Sequence, residues 1–151
     1  MKVANILAVK GSVIITIKPS DTIGMLSHCL RENRIGAAVV SSDGQTVDGV
    51  ISERDIAYAV AVHKGDLYAL PVSALMTKAV IMCSPDDEVS RVASTMLARN
   101  VRHIPVQDGD RLIGMISIRD VLNLRVDELQ RQTSLLRALT TEKERNQPID
   151  R

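Results

Sequence analysis

Two short segments of this sequence place a hydroxyl and a carboxylate three residues apart, at Ser52 and Asp55 and again at Ser117 and Asp120. Apolar residues before Ser117 follow a strand-like pattern, whereas those after it recur at helical spacing, so Ser117 is predicted to lie where a strand gives way to a helix. The start of a helix offers free backbone N–H groups to an anion. The same Ser-x-x-Asp pattern is close to a capping box that needs no ligand. A ligand site and a plain helix cap both explain it.

The strand before Ser117 belongs to a predicted β-hairpin. Two apolar runs, 101–106 and 112–117, flank a turn at 107–110 that contains Asp108-Gly109. An Asp-Gly pair between two such runs is a strong hairpin signal.

This segment has an earlier copy in the chain. Residues 49–55 match residues 114–120 at an offset of 65, with five of the seven positions identical, and 19–21 matches 85–87 in its proline and aspartate. The period is too long for a solenoid repeat of ~20–50 residues. The pattern therefore predicts a duplicated β-α-β-β-α unit whose halves pack together, with the first repeat at 1–66, the second at 67–126, and a C-terminal helix and tail at 127–151.

The remaining elements follow from periodicity and from turn residues. A helical turn at 3–9 ends at Gly11, and a later helix begins after Pro19 with Ser20 or Asp21 as its cap. Other strands are predicted at 13–17, 37–40, 47–52 and 80–83, further helices at 53–63 and 127–141, and a frayed end at 142–151. Leu122, Val126, Leu129 and Leu136 approximate a heptad seam, which favours either a partner helix or packing against the protein's own sheet.

Composition narrows the function classes. The 151 residues are 45% hydrophobic and 25% charged, as in globular proteins, and the net charge of +1 argues against a nucleic-acid surface. Aromatic residues make up 1% of the chain, so a bound base would lie between aliphatic walls. No apolar run approaches the ~20 residues of a membrane span, and the N-terminus does not read as a signal peptide. Neither the two cysteines nor the three histidines have metal-ligand spacing, so we expect a cytoplasmic, reduced protein without a metal.

The duplicated unit resembles the CBS-domain pair, or Bateman module, of the stand-alone bacterial type. The resemblance is carried by Arg-His-Ile-Pro-Val at 102–106 and Gly-x-Ile-Ser-x-Arg-Asp at 114–120, and it covers about residues 1–126. It implies an α+β fold of two tandem β-α-β-β-α units related by a pseudo-two-fold axis, with sheets packed face to face and helices outside. Family members commonly bind adenosine-containing ligands in two clefts between the units, and they often form dimers.

The resemblance also implies which residues would bind a nucleotide. A carboxylate can accept hydrogen bonds from both ribose hydroxyls, and a serine, an arginine and helix-start amides can hold a phosphate. The nucleotide-binding residues expected on this basis are Ser52, Arg54, Asp55, Arg102, His103, Ile104, Pro105, Ser117, Arg119 and Asp120, and those expected to wall the base are Thr16, Ile17, Ala38, Met82 and Cys83. A solvated Arg102, a structural His103 and an ordinary core role for the apolar residues are the alternatives. Residues 102–105 of the second repeat are Arg-His-Ile-Pro, whereas the matching residues 36–39 of the first are Gly-Ala-Ala-Val and lack the cationic pair and the proline. Equal occupancy of the two clefts is therefore not expected.

We therefore expect a non-catalytic regulatory module that binds AMP, ADP, ATP or NAD, forms a homodimer and acts on a separate protein. The alternative is a ligand-free dimerisation module that tethers a partner. Nucleic-acid and membrane partners are not expected. An enzymatic role has little support, because Cys83 and His103 could pair as nucleophile and base but no third orienting group is visible.

Overall fold

The computed structural model describes residues 1–11 and 13–146. Its elements, in chain order, are α1 (Val3–Lys10), β1 (Thr16–Ile17), α2 (Ile23–Asn33), β2 (Ala37–Val40), β3 (Gly49–Ser52), α3 (Glu53–Val62), short 3₁₀ turns at Leu67–Ala69 and Val72–Ala74, α4 (Val89–Arg99), β4 (His103–Asp108), β5 (Arg111–Ser117) and α5 (Ile118–Arg145).

The strands form two small sheets in which corresponding residues of the two repeats take corresponding places. In the first sheet β1 runs parallel to β2, and β2 pairs antiparallel with β3; in the second, β4 pairs antiparallel with β5. Ala37 lies opposite Ser52 as His103 lies opposite Ser117. The predicted α+β class, the duplication and the alignment of 36–39 with 102–105 are confirmed.

The two hydrophobic cores exchange their N-terminal segments. Val3 and Ile6 of α1 are buried among second-repeat residues such as Ile104 and Ile116. Val72, which begins the second repeat's own turn, is buried instead among first-repeat residues such as Ile51. Each core therefore contains apolar side chains from both halves of the chain, and neither half can bury its core without the other.

Two of the predicted strands are shorter than expected. The segment 13–17 forms a strand only at Thr16–Ile17, and the segment 80–83 makes one parallel bridge, from Cys83 to Val106. Both segments have strand-like composition, but their first residues lie at cavities rather than beside a neighbouring strand. β3 begins at Gly49 rather than at residue 47, because the Asp48 carboxylate accepts the Ser42 backbone N–H and closes the preceding loop.

Two predicted helix ends are also corrected. Thr22, not Ser20 or Asp21, caps α2 by accepting the Met25 N–H, since the Asp21 carboxylate already accepts the Lys18 N–H. The last helix runs without a break from Ile118, so 142–145 is helical rather than frayed. Residues 147–151 of the predicted frayed end lie outside the described residues.

Close approaches at Gly49 and Gly114 allow the exchanged segments to lie against the sheets. A Cβ at Gly49 would lie 2.8 Å from both the Met76 sulfur and the Thr77 carbonyl oxygen, whereas a Cβ at Gly114 would lie 2.8 Å from a terminal methyl of Leu7. The backbone at Thr77 is held by two hydrogen bonds to Val50 and cannot give way as a leucine methyl can.

We predict that Gly49→Ala lowers the free energy of unfolding by about 1–3 kcal/mol, as expected for overpacking. Gly114→Ala should cost less, because the end of the Leu7 side chain can rotate. Urea unfolding of the two variants beside the parent protein measures both costs. An equal or larger loss for Gly114→Ala would contradict this account of the contacts.

Candidate functional site

Two clefts lie where the repeats meet. The large cleft, of about 550 Å³, is lined by Lys10, Val13, Ile14, Ile15, Arg34, Ile35, Gly36, Ala37, Glu53, Arg102, His103, Met115, Ser117, Ile118, Arg119 and Asp120. The small cleft, of about 190 Å³, is lined by Val50, Ser52, Arg54, Asp55, Thr77, Ala79, Val80, Ile81, Asn100, Val101, Arg102 and His103. Each cleft thus contains one of the two predicted Ser-x-x-Asp pairs.

Both Ser-x-x-Asp pairs form the capping boxes that the spacing predicts. The Asp120 carboxylate accepts the Ser117 N–H at 2.7 Å, and the Ser117 hydroxyl accepts the Asp120 N–H at 3.2 Å. The corresponding distances between Ser52 and Asp55 are 2.8 and 3.4 Å. In each box the contact to the serine uses Oδ2, and Oδ1 has no hydrogen-bond partner among the described residues. Capping therefore leaves one carboxylate oxygen of each pair available to a ligand.

Arg102 and His103 line both clefts, because they lie at the start of β4 between the two capping boxes. The sequence did not decide which Ser-x-x-Asp pair shares a cleft with them, and the structure places them beside both. Arg54 also lines the small cleft, where its guanidinium donates to the Asn100 carbonyl at 3.3 Å. Arg119 lines the large cleft. Each cleft thus combines a carboxylate with at least two cationic side chains.

The large cleft contains charged residues that sequence reasoning missed. Lys10, Arg34 and Glu53 line it beside Arg102, Arg119 and Asp120, which gives four cationic groups and two carboxylates. The Lys10 ammonium donates to the Asp120 carboxylate and to the Met115 carbonyl, each at 2.8 Å. No spacing in the sequence signals this pair, because Lys10 and Asp120 are 110 residues apart. The excess of positive charge favours an anionic ligand.

Seven of the residues expected at the site lie outside both cleft linings: Thr16, Ile17, Ala38, Met82, Cys83, Ile104 and Pro105. Ile17 and Ala38 are buried in the first-repeat core, and Cys83 and Ile104 in the other. The apolar walls are formed instead by residues slightly earlier in the chain, Val13–Ile15 in the large cleft and Ala79–Ile81 in the small one. The alternative of an ordinary core role holds for Ile17, Ala38, Cys83 and Ile104.

The pKa of His103 lies below its ordinary value. Burial disfavours the charged imidazole, and the nearby cations Arg102 and Lys10 add to this effect, which outweighs the opposing carboxylates of Glu53 and Asp120. The pKa of Asp120 is also lowered, since burial would raise it but the hydrogen bonds from Lys10 and Ser117 favour the carboxylate more strongly. At neutral pH the large cleft therefore presents a neutral imidazole and a charged carboxylate.

Cys83 is not placed to act as a nucleophile. It is buried in the second-repeat core, and burial together with the Asp87 charge raises the pKa of its thiol to about 12. A thiol with this pKa is protonated at neutral pH, whereas the thiolate is the reactive form.

Within residues 1–11 and 13–146, no group of three or more His, Cys, Asp or Glu side chains could hold a metal ion. Over the same part of the chain, no helix combines the length and apolar character needed to cross a membrane.

Comparison with known proteins identifies the family. The family model of the CBS domain matches residues 9–62 and 72–127, so the chain belongs to the CBS-domain family as a pair of such domains. An uncharacterised 17.7 kDa protein of Acidianus ambivalens is 33% identical over 127 residues, which cover 83% of this chain and 74% of that protein. Other curated relatives are longer, and the match covers 57% and 59% of two of them.

Solved structures agree with this assignment. A CBS-domain protein of Agrobacterium tumefaciens is 36% identical, with a TM-score of 0.79 over 83% of this chain and 99% of its own. The CBS-domain pair of the protein MJ0100, in complex with 5-methylthioadenosine and S-adenosyl-L-methionine, is 26% identical, with a TM-score of 0.74 over 85% of this chain and 98% of its own. A similar pair thus binds two adenosine-containing ligands.

We predict that the protein loses stability between about pH 7.5 and pH 5. In the unfolded chain His103 binds a proton below about pH 6.5, whereas the folded protein disfavours the charged form. The free energy of unfolding therefore decreases as the pH is lowered through this window. Urea unfolding across the window should show this slope, and His103→Gln should flatten it. His28→Gln, at an exposed helical position, is the matched control and should leave the slope unchanged. The same slope in His103→Gln as in the parent would contradict the assignment.

Proposed function

We propose that this CBS-domain pair is a non-catalytic regulatory module that binds an adenosine-containing nucleotide in its clefts. The observation that carries the proposal is that each cleft joins a capping-box carboxylate to the shared Arg102 and His103. A free carboxylate oxygen can accept a ribose hydroxyl, while helix-start amides and a guanidinium can bind phosphate. The adenosine ligands of the similar MJ0100 pair support this ligand class.

The base would lie against the aliphatic walls of the clefts. Val13, Ile14 and Ile15 line the large cleft beside its polar groups, and Val80 and Ile81 occupy the matching place in the small one. A cleft with an apolar wall and a few convergent polar groups is the common form of a small-molecule site. The side chains of the protein leave about 550 Å³ open in the large cleft, which favours a ligand-binding module over a ligand-free tether.

We predict that the purified protein binds at least one of AMP, ADP, ATP and NAD, and that Asp120→Asn weakens ribonucleotide binding at the large cleft by about tenfold. Loss of a hydrogen bond to a charged acceptor has this magnitude. Asparagine keeps an oxygen for the Ser117 N–H, so the helix cap is retained. Calorimetric titration with each nucleotide and with its 2′-deoxy form measures the effect.

The deoxynucleotide is expected to lose much less affinity on the same substitution, because it lacks one of the two hydroxyls. Asp110→Asn, on the exposed hairpin turn, is the matched control and should change neither affinity. Equal losses for the ribose and deoxyribose forms would reject the ribose assignment. No binding of any of the four nucleotides at millimolar concentration would reject the proposed function.

We further propose that α5 pairs with α5 of a second copy of this chain. The seam residues Leu122, Val126, Leu129 and Leu136 are exposed, so the alternative that the helix covers its own sheet does not hold for them. Val121, by contrast, is buried at the start of the helix. The seam spacing approximates that of a coiled coil. The start of α5 packs against the second-repeat core through Ile118, Val121 and Leu124, but the seam residues are exposed, and a helical segment without tertiary contacts is marginal alone. A second copy of the chain carries the same exposed stripe and so offers a matching apolar partner, which favours pairing of α5 with α5.

We predict that Leu136→Lys shifts the protein from dimer to monomer, because the charge would lie in the helix–helix seam. Leu135→Lys is the matched control, since Leu135 and Leu136 are each 65% exposed but only Leu136 lies on the seam. Sedimentation equilibrium of both variants separates the outcomes. A monomeric parent protein, or an equal effect of the two substitutions, would contradict the pairing of α5.

A further inference from the structure

Lys10 joins the N-terminal helix to the carboxylate of the large cleft. Its ammonium lies 2.8 Å from Asp120 Oδ2 and 2.8 Å from the Met115 carbonyl oxygen. The Asp120 side chain is 19% exposed and the Lys10 side chain 41%, so the pair lies at the cleft wall rather than on the open surface. The oxygen that already serves the helix cap therefore also binds a cation.

The small cleft has no counterpart of this pair. Among the described residues, the Asp55 carboxylate is hydrogen-bonded only to the N–H and hydroxyl of Ser52 and forms no salt bridge. The segment that lies there contributes Thr77, Ala79 and Val80 to the lining. Lys78 of that segment is exposed and does not line the cleft. The two carboxylates thus have the same cap and different electrostatic surroundings.

A ligand that binds to Asp120 competes with the Lys10 ammonium for the carboxylate. A ribose diol that reaches both carboxylate oxygens takes the place of the ammonium on Oδ2, and the released cation then lies beside Arg34, Arg102 and Arg119. An uncharged nucleoside supplies no acceptor in place of Oδ2, so the Lys10 ammonium loses a charged hydrogen-bond partner and keeps the Met115 carbonyl. A ligand phosphate supplies a charged acceptor for the ammonium in place of Oδ2.

On the basis of the proposed function, we propose that Lys10 selects the ligand of the large cleft by charge, favouring a nucleoside polyphosphate and rejecting an uncharged nucleoside. The large cleft offers a polyphosphate about 550 Å³ and four cationic groups, against two carboxylates. The small cleft, of about 190 Å³, is lined by Arg54 and Arg102 but, within the part of the chain that the structure describes, has no lysine paired with its carboxylate. The two clefts of one chain therefore differ in ligand class rather than only in affinity.

The test compares adenosine with ATP in an Asp55→Asn background, which weakens the small cleft so that the large cleft dominates the titration. Calorimetry at fixed ionic strength gives both dissociation constants and hence their ratio. Lys10→Met should weaken ATP binding about threefold and strengthen adenosine binding about threefold, so that the preference for ATP falls about tenfold. Lys78→Met removes the same charge from the matched segment and should leave the ratio unchanged.

Two further variants keep the result interpretable. Lys10→Gln removes the charge with a polar side chain and should reproduce the fall in the ratio if Lys10→Met does not fold. Lys10→Arg keeps a cation and should hold the ratio within about threefold of the parent.

The outcomes separate this inference from the proposed function. Binding of nucleotides with a ratio that neither Lys10→Met nor Lys10→Gln alters would overturn the selection by Lys10 and leave the nucleotide site intact. An equal change on Lys78→Met would overturn it as well, because the effect would then be one of net charge. Absence of any nucleotide binding by the parent chain would overturn the proposed function itself, and this inference with it.

Discussion

The site depends on one interaction that the chain makes twice, the bond from a serine N–H to the carboxylate three residues later. This bond starts α3 and α5 directly at the ends of β3 and β5, with no connecting loop. It also holds each carboxylate at a cleft, because the oxygen that caps the helix fixes the direction of the other oxygen. The helix cap and the candidate ligand site thus share one carboxylate group, each through a different oxygen. The helix is stabilised whether or not the cleft is filled, so ligand binding needs no reordering of the backbone.

The features that the sequence predicts well are those encoded within a few residues. The capping boxes depend on a spacing of three, and the hairpin at β4 and β5 on an Asp-Gly turn between apolar runs. The duplication follows from direct comparison of the two halves. The strand at 80–83 fails as a prediction because β-pairing needs a neighbour, and its apolar residues face a cavity instead. Composition cannot distinguish an apolar residue that pairs in a sheet from one that walls a cleft.

The electrostatics of the large cleft could be predicted from the sequence only in part, since Arg102, Arg119 and Asp120 were expected there and the other charged residues were not. Lys10, Arg34 and Glu53 lie in separate elements, and only the exchange of N-terminal segments brings Lys10 to Asp120. A lysine at the end of a short helix is otherwise read as a favourable partner of the helix dipole. The asymmetry between the clefts has two origins, of which the Lys10–Asp120 pair depends on this exchange and the absence of an Arg102 counterpart from the first repeat follows from the sequence. Gly36 takes the place of Arg102 in the first repeat, and a Cβ atom there would lie 3.2 Å from Glu53 Oε1.

The exchange of core segments also determines what an occupied cleft can do to the rest of the chain. Val13–Ile15 lines the large cleft, and it lies between α1, which packs in the second-repeat core, and β1, which packs in the first. This wall segment therefore connects the two hydrophobic cores. An occupant that displaced this segment would act on both cores at once, and only through such a displacement could occupancy change a surface that a bound protein detects.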